Sequence, residues 1–163
     1  MKIIFQDIDG PLIPHRMYFQ GGRWYDPVAK SFYFDPIAVG MINSLCHQLD
    51  AKVVFNSAHN VNPKEIMHHQ AKCNSLLFMH DDCITSFATK TESRLGGIHD
   101  WLADHPGVES WCVIDDMEVG TNRQVKVDYN IGMTIQNFAQ AYHLLSGEEW
   151  KPPLFISQAD KIE

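Results

Sequence analysis

The chain lacks any long apolar run, and nothing in its 163 residues approaches the ~20 consecutive apolar residues that span a bilayer. An acidic side chain appears as early as Asp7, which is too soon for the apolar core of a signal peptide. Internal repeats and low-complexity tracts are absent as well. We therefore expect a cytoplasmic protein with no membrane segment.

Positive charge is scarce. Thirteen Lys and Arg residues face 20 Asp and Glu residues, which gives a net charge of −7. The chain carries no general basic footprint of a nucleic-acid-binding protein, although a local positive groove is compatible with this balance. An apolar fraction of 45% in a chain of this length is typical of one soluble domain with its own core.

Cysteine is also sparse, and the four cysteines form no CxxC pair. This pattern favours reduced thiols over a disulfide framework. Four of the histidines and cysteines have a spacing that is compatible with a zinc site. The alternative interpretation is that they are two half-buried cysteines among surface histidines and bind no metal. The residues concerned are His69, Cys73, His80 and Cys83.

What the chain does have is a short apolar strand that ends in two carboxylates. Residues 3–5 do not alternate with polar residues, which predicts a fully buried strand. Asp7 and Asp9 are two residues apart and therefore start from the same side, and Gly10-Pro11 breaks the strand behind them. Ligands bind at the carboxyl ends of strands in open α/β sheets. Because two carboxylates repel each other there, the pair predicts a metal site, an acid/base pair, or both.

Strand and helix patterns alternate along the rest of the chain. Further buried strands are predicted at residues 52–57, 76–79, 111–114 and 125–127. Helices are predicted to begin after Asp35, at Asn62-Pro63, at Thr89 or Thr91, and at Thr134. This alternation predicts a three-layer Rossmann-like α/β domain with a mostly parallel central sheet over residues 1–146.

Two segments stand outside this alternation. Residues 13–34 are rich in aromatic side chains around Gly21-Gly22, which predicts a β-hairpin or small flap. These aromatic side chains fit either packing or substrate stacking. Residues 147–163 contain prolines and are expected to form a loose carboxyl-terminal tail.

Three predicted strands end in side chains that can take part in catalysis, and a lysine adds a positive charge before the strand at 111–114. If the strands are parallel neighbours, these side chains meet in one crevice. The set suits phosphoryl transfer to an aspartate, with Mg²⁺ offsetting carboxylate repulsion and a hydroxyl and an ammonium holding the phosphoryl oxygens. In chain order the residues are Asp7 and Asp9, Ser57, Lys90, and Asp115 and Asp116.

In order and spacing, these residues resemble the four motifs of the haloacid dehalogenase (HAD) superfamily of phosphohydrolases. The resemblance implies that Asp7 is the nucleophile and Asp9 the general acid/base, in a reaction through an aspartyl-phosphate. It implies that Ser57 and Lys90 bind the phosphoryl group.

The same resemblance implies a Mg²⁺ site. Asp115 would complete the metal shell together with the Asp7 carboxylate and the backbone carbonyl of Asp9. Asp116 would be a ligand or would support one. Mg²⁺ is accordingly the expected cofactor.

The short segments between the motifs leave no room for a large cap domain, so the resemblance implies a capless or minimally capped site. An open site of this kind favours a large substrate or a terminal phosphate on a polymer. The segment 130–134 is similar to HAD domains of nucleic-acid repair systems. The expected substrate is a phosphomonoester, with a nucleotide, a polynucleotide end and a sugar phosphate all open.

Other functions compete with this one. A non-catalytic HAD-like domain that binds a metal or a partner would not need a nucleophile and an acid two residues apart. A receiver-like signalling domain would carry its acidic pair and its phosphoacceptor on different strands. His59, close to Ser57, is a further candidate for substrate binding.

Overall fold

A parallel sheet forms the centre of the molecule, and the computed structural model describes residues 1–19 and 25–152. Its five strands have the order β5-β4-β1-β6-β7. In chain order the elements are β1 (Lys2–Gln6), α1 (Arg16–Phe19), β2 (Tyr25–Asp26), β3 (Ser31–Phe32), α2 (Pro36–Leu49), β4 (Ala51–Phe55), a 3-10 helix (Ala58–Val61), α3 (Lys64–Cys73), β5 (Met79–Ile84), α4 (Arg94–Asp104), β6 (Ser110–Asp115), β7 (Gln124–Lys126) and α5 (Ile135–Ser146).

The central position of β1 follows from its sequence, because side chains on both of its faces are buried. Ile3 and Phe5 point to the face covered by α4, where Phe5 packs edge-on against Trp101 at 5.5 Å. Ile4 points to the opposite face, whose core includes apolar side chains of α2, α3 and α5. These two apolar layers confirm the predicted three-layer α/β architecture.

The strand register sets the position of the polar residues that follow. Gln6 at the end of β1 pairs with Phe55 on β4 and with Ile114 on β6. The residues that directly follow these three in the chain therefore lie at the same edge of the sheet. They are Asp7, Asn56 and Asp115.

The helix starts follow their capping residues. Asp35 accepts a hydrogen bond from the Ile37 amide and caps α2, as predicted, and Thr134 caps α5. The predicted start of α4 at Thr89 or Thr91 is wrong, because the Ser93 hydroxyl is the acceptor for the first turn of that helix. A serine directly before Arg94 thus fixes which residue begins α4.

Two other predictions need correction or limits. The third strand runs from Met79 to Ile84 instead of over residues 76–79, because this edge strand is mostly only half-buried and tolerates polar side chains. Within residues 13–34 the structure has a short hairpin of β2 and β3, but its turn lies at residues 27–30 and not at the predicted glycine pair. The Gly21-Gly22 pair lies outside the described residues.

The carboxyl-terminal segment is partly described. Trp150 packs against Phe138 of α5, with ring centroids 5.0 Å apart, so residues up to at least 150 are attached to the domain. Residues 153–163 lie outside the described part of the chain. No helix of the described residues is long and apolar enough to cross a membrane.

Candidate active site

Three carboxylates meet at the carboxyl edge of the sheet. Asp7 follows β1, Asp115 ends β6, and Asp116 comes directly after it. One oxygen from each lies within 4.8 Å of the others, and Asp7 and Asp115 are almost completely buried. The carboxylates are close because β1 pairs with β6 in parallel, which brings the carboxyl ends of the two strands together as predicted from the sequence.

A single guanidinium lies against the two buried carboxylates. The Nη1 atom of Arg94 is 3.1 Å from Asp7 Oδ1 and 2.9 Å from Asp115 Oδ2. The same nitrogen also donates a hydrogen bond to the backbone carbonyl of Asn56 at 3.0 Å. Arg94 is the first residue of α4, so the capping of that helix by Ser93 places the cation at the centre of the site.

Burial dominates the electrostatics of this cluster. Desolvation raises the pKa of Asp7 to about 6, although the Arg94 charge and hydrogen bonding from Ser57 favour its ionised form. Desolvation and the neighbouring Asp7 charge raise the pKa of Asp115 to about 7. The single positive charge of Arg94 therefore does not balance the negative charge of the buried carboxylates.

A divalent cation fits this arrangement. Neither carboxylate oxygen of Asp7 has a well-aligned hydrogen bond, although both are buried, which is a costly state for an anion. Carboxylate oxygens are the ligands that Mg²⁺ prefers, and Asp115 and Asp116 offer further oxygens beside Asp7. The aspartate cluster could therefore bind a metal ion.

The close approach of Asp116 depends on a glycine. Gly10 has a φ of +84°, and a Cβ atom built there would lie 2.8 Å from Asp116 Cγ. Any larger residue would therefore strain the backbone and push Asp116 away from the cluster. The Gly-Pro pair that marked the end of the strand thus also makes room for a carboxylate.

Asp9 lies apart from the buried cluster. Its side chain is 50% exposed, and its Oδ2 is 3.1 Å from Nε2 of His59. The hydrogen bond from His59 lowers the pKa of Asp9, and the same bond raises the pKa of His59. Asp9 and His59 thus form a partly exposed acid–imidazole pair beside the buried carboxylates.

The structure places the two predicted phosphate-binding residues differently. Ser57 is fully buried near Asp7, and its hydroxyl also accepts a hydrogen bond from the His59 amide at 3.4 Å. Lys90 is exposed on the turn before α4, where its amide donates to the Ser86 carbonyl. Among the described residues, the side chain that pairs with Asp7 is Arg94.

Sequence reasoning missed Arg94, although a signal existed. The predicted third motif was Lys90, whereas Arg94, directly after the helix-capping serine, also precedes the fourth motif. Position at the start of the helix is a better guide here than the type of cation.

The four residues considered for zinc are not gathered. Cys73 Sγ lies 3.5 Å from His69 Nε2, but His80 bonds to the backbone of Asp82 and Cys83 is buried against Lys64. Among residues 1–19 and 25–152, the group that meets the geometry for a metal site is Asp7, Asp115 and Asp116. The pattern thus fits ordinary cysteines and histidines in the described structure.

A parallel α/β domain with an aspartate cluster after its central strand, and without a large cap in its described part, is consistent with a HAD-type domain. Residues 3–138 match the family described as "HAD domain in Swiss Army Knife RNA repair proteins". The match covers most of the chain, so the protein belongs to this family. No curated protein and no solved structure gives a significant match.

Proposed function

We propose that this domain is a Mg²⁺-dependent phosphatase that cleaves a phosphomonoester through an aspartyl-phosphate on Asp7. The observation that carries the proposal is the state of Asp7. It is a buried carboxylate with no well-aligned hydrogen bond, lying beside one guanidinium and within reach of two further carboxylates. Strongly perturbed carboxylates of this kind are concentrated at catalytic sites, where a desolvated carboxylate next to a cation can serve as a nucleophile.

The chemistry assigned to the two aspartates of the first motif is complementary. An oxygen of Asp7 attacks phosphorus, the bond from phosphorus to the leaving oxygen breaks, and Asp9 gives its proton to that oxygen. Asp9 then takes a proton from water, which attacks phosphorus and releases phosphate from Asp7. The proton that leaves with the leaving group is replaced by the proton taken from water, and His59, at hydrogen-bond distance from Asp9, can hold this proton between cycles and pass it to Asp9.

The remaining polar groups are assigned to charge and orientation. Ser57 and Arg94 would bind the phosphoryl oxygens, since both lie next to Asp7. Lys90 stays a sequence prediction for this role, and comparison of its variants with those of Arg94 tests it. Asp7, Asp115, Asp116 and the Asp9 carbonyl would hold Mg²⁺, which when bound neutralises carboxylate and phosphoryl charge.

The proposed substrate class is a nucleotide or a phosphorylated polynucleotide end. Two observations support it: the family description refers to RNA repair proteins, and the described part of the chain has a hairpin where a large cap would exclude polymers. A non-catalytic domain that binds a metal or a partner is the alternative that the same experiment tests.

The experiment is phosphate release from a panel of phosphomonoesters, in Mg²⁺ or in EDTA. The panel includes ribose phosphate, nucleoside monophosphates, and oligonucleotides phosphorylated at either end. We expect metal-dependent release by the wild type, none by Asp7→Asn, and normal release by Asp81→Asn, a matched change at an exposed aspartate. Turnover by Asp7→Asn at the wild-type rate would refute the nucleophile, and no release from any substrate would favour the non-catalytic alternative.

A further inference from the structure

A large open pocket lies directly beside the candidate active site. It has a volume of about 920 Å³ and lies between the β2–β3 hairpin and α3. His59 forms part of its wall, and the same histidine is 3.1 Å from Asp9. One imidazole ring therefore separates the pocket from the carboxylate that we assign to protonate the leaving group.

Most of the lining surface of the pocket is apolar, although several of the lining residues are polar or charged. Tyr25 and Phe32 of the hairpin contact each other with ring centroids 5.3 Å apart, and Phe32 also meets the His59 ring edge-on at 5.3 Å. Ile66, 44% exposed on α3, lines the pocket together with these rings. Volumes of a few hundred to a thousand Å³ with such a lining are typical of sites for small organic ligands.

The walls are fixed in place by hydrogen bonds. The buried Gln70 of α3 accepts from the Phe32 amide at 2.9 Å and from the Ser31 hydroxyl at 3.0 Å. Gln70 also donates to the Lys30 carbonyl, and His69 bonds to the Ala29 carbonyl at 2.7 Å. The hairpin and α3 thus form one preorganised cleft, which lowers the entropic cost of binding.

The position of the pocket suggests its occupant. During attack by Asp7, the leaving oxygen must lie close to Asp9, so the leaving group extends toward His59 and the pocket behind it. Aromatic and aliphatic walls bind planar rings by stacking, which needs no positive charge. A protein of net charge −7 would gain more from such contacts than from contacts with a polyanionic backbone.

We propose that this pocket binds the nucleobase of the leaving nucleoside, and we name it the base pocket. The proposal rests on the proposed function, since the phosphorylated substrate is then a nucleotide or a nucleotide at an RNA or DNA end. It assigns Tyr25, Phe32 and Ile66 to base contact and His59 to the junction between base pocket and reaction centre.

The first test is binding of nucleosides, which carry no phosphate. Saturation-transfer NMR compares adenosine, guanosine, cytidine and uridine with ribose, on the wild type, Ile66→Ala and the matched control Ile37→Ala. Ile37 is an exposed isoleucine on α2, outside the base pocket. Both positions are exposed on helices, so thermal unfolding should show that both variants fold.

We expect base protons of at least one nucleoside to be saturated on the wild type and on Ile37→Ala. Loss of apolar contact area with the base should weaken that binding about five- to tenfold in Ile66→Ala. Signals no stronger than those of ribose would overturn the proposal. Equal binding by Ile66→Ala and the wild type would overturn it as well.

The second test is the ratio of kcat/KM for nucleoside monophosphates to kcat/KM for ribose phosphate. It should fall by a similar factor in Ile66→Ala, through KM, and stay at the wild-type value in Ile37→Ala. Oligonucleotides with a terminal phosphate show whether the base comes from a free nucleotide or from a polymer end. If no substrate releases phosphate, the proposed function fails, while nucleoside binding still decides the base pocket.

Discussion

Replacement of Asp7 by asparagine should stabilise the metal-free protein while abolishing its activity. Asp7 is buried with no well-aligned hydrogen bond, and burial raises the pKa of its carboxyl from 3.8 to about 6. Above that pH the folded protein must hold an ionised carboxylate in a poorly solvated site, and an amide of the same size removes this cost. Asp115, whose pKa is raised partly by the Asp7 charge, gains as well.

The size and the pH dependence follow from the pKa. Each unit of pKa corresponds to about 1.4 kcal/mol, so ionised Asp7 costs roughly 3 kcal/mol at pH 8. Between about pH 4 and pH 6 the folded state keeps a proton that the unfolded chain has lost, so the free energy of unfolding falls as pH rises. At pH 4 the cost is less than about 1 kcal/mol. Arg94 keeps Asp115 as a partner in the variant, so we expect a net gain of about 2 kcal/mol at pH 8.

The assay is thermal unfolding of the wild type, Asp7→Asn and the exposed control Asp81→Asn in EDTA, at pH 4 and pH 8. A gain of about 2 kcal/mol corresponds to an increase in Tm of roughly 5 °C for a chain of this size. The increase should be small at pH 4, and Mg²⁺ should stabilise the wild type more than Asp7→Asn. A lower Tm for Asp7→Asn at pH 8, or the same difference at both pH values, would refute the electrostatic reasoning.

Three further predictions concern the neighbours of Asp7. Arg94→Met should lower the free energy of unfolding by a few kcal/mol, because it leaves buried carboxylates unpaired, and it should abolish phosphate release. Lys90→Met, at an exposed position, should change both quantities little, and equal effects of the two variants would contradict the placement of Arg94. Gly10→Ala should cost about 1–3 kcal/mol and weaken Mg²⁺ binding in calorimetry, since its Cβ would displace Asp116. His59→Gln should lower Tm more at pH 6 than at pH 9. The pKa of His59 is raised in the folded protein, so its stabilising ion pair with Asp9 is complete below pH 6.5 and is lost as pH rises through that raised pKa. A loss of Tm that does not depend on pH would indicate packing alone.

The fold and the acidic part of the candidate site were predictable because both depend on local patterns. Apolar strands ending in Asp7, Ser57 and Asp115 were visible as short continuous runs, and a parallel arrangement of buried strands puts such ends together. The match to a HAD family over residues 3–138 agrees with that prediction. The position of β5 was not predictable in the same way, since an edge strand with polar side chains has no continuous apolar run.

The sequence by itself therefore determined the parallel sheet of buried strands and which polar residues follow those strands. It also determined the cluster of Asp7, Asp115 and Asp116. Only the tertiary structure decided that Arg94 and not Lys90 contacts the cluster, that His59 pairs with Asp9, and that the hairpin and α3 enclose a pocket. The physical reason is the range of the interactions. Hydrophobic periodicity and capping act within a few residues, whereas these contacts join residues far apart in the chain and depend on how α3, α4 and the hairpin pack around the sheet.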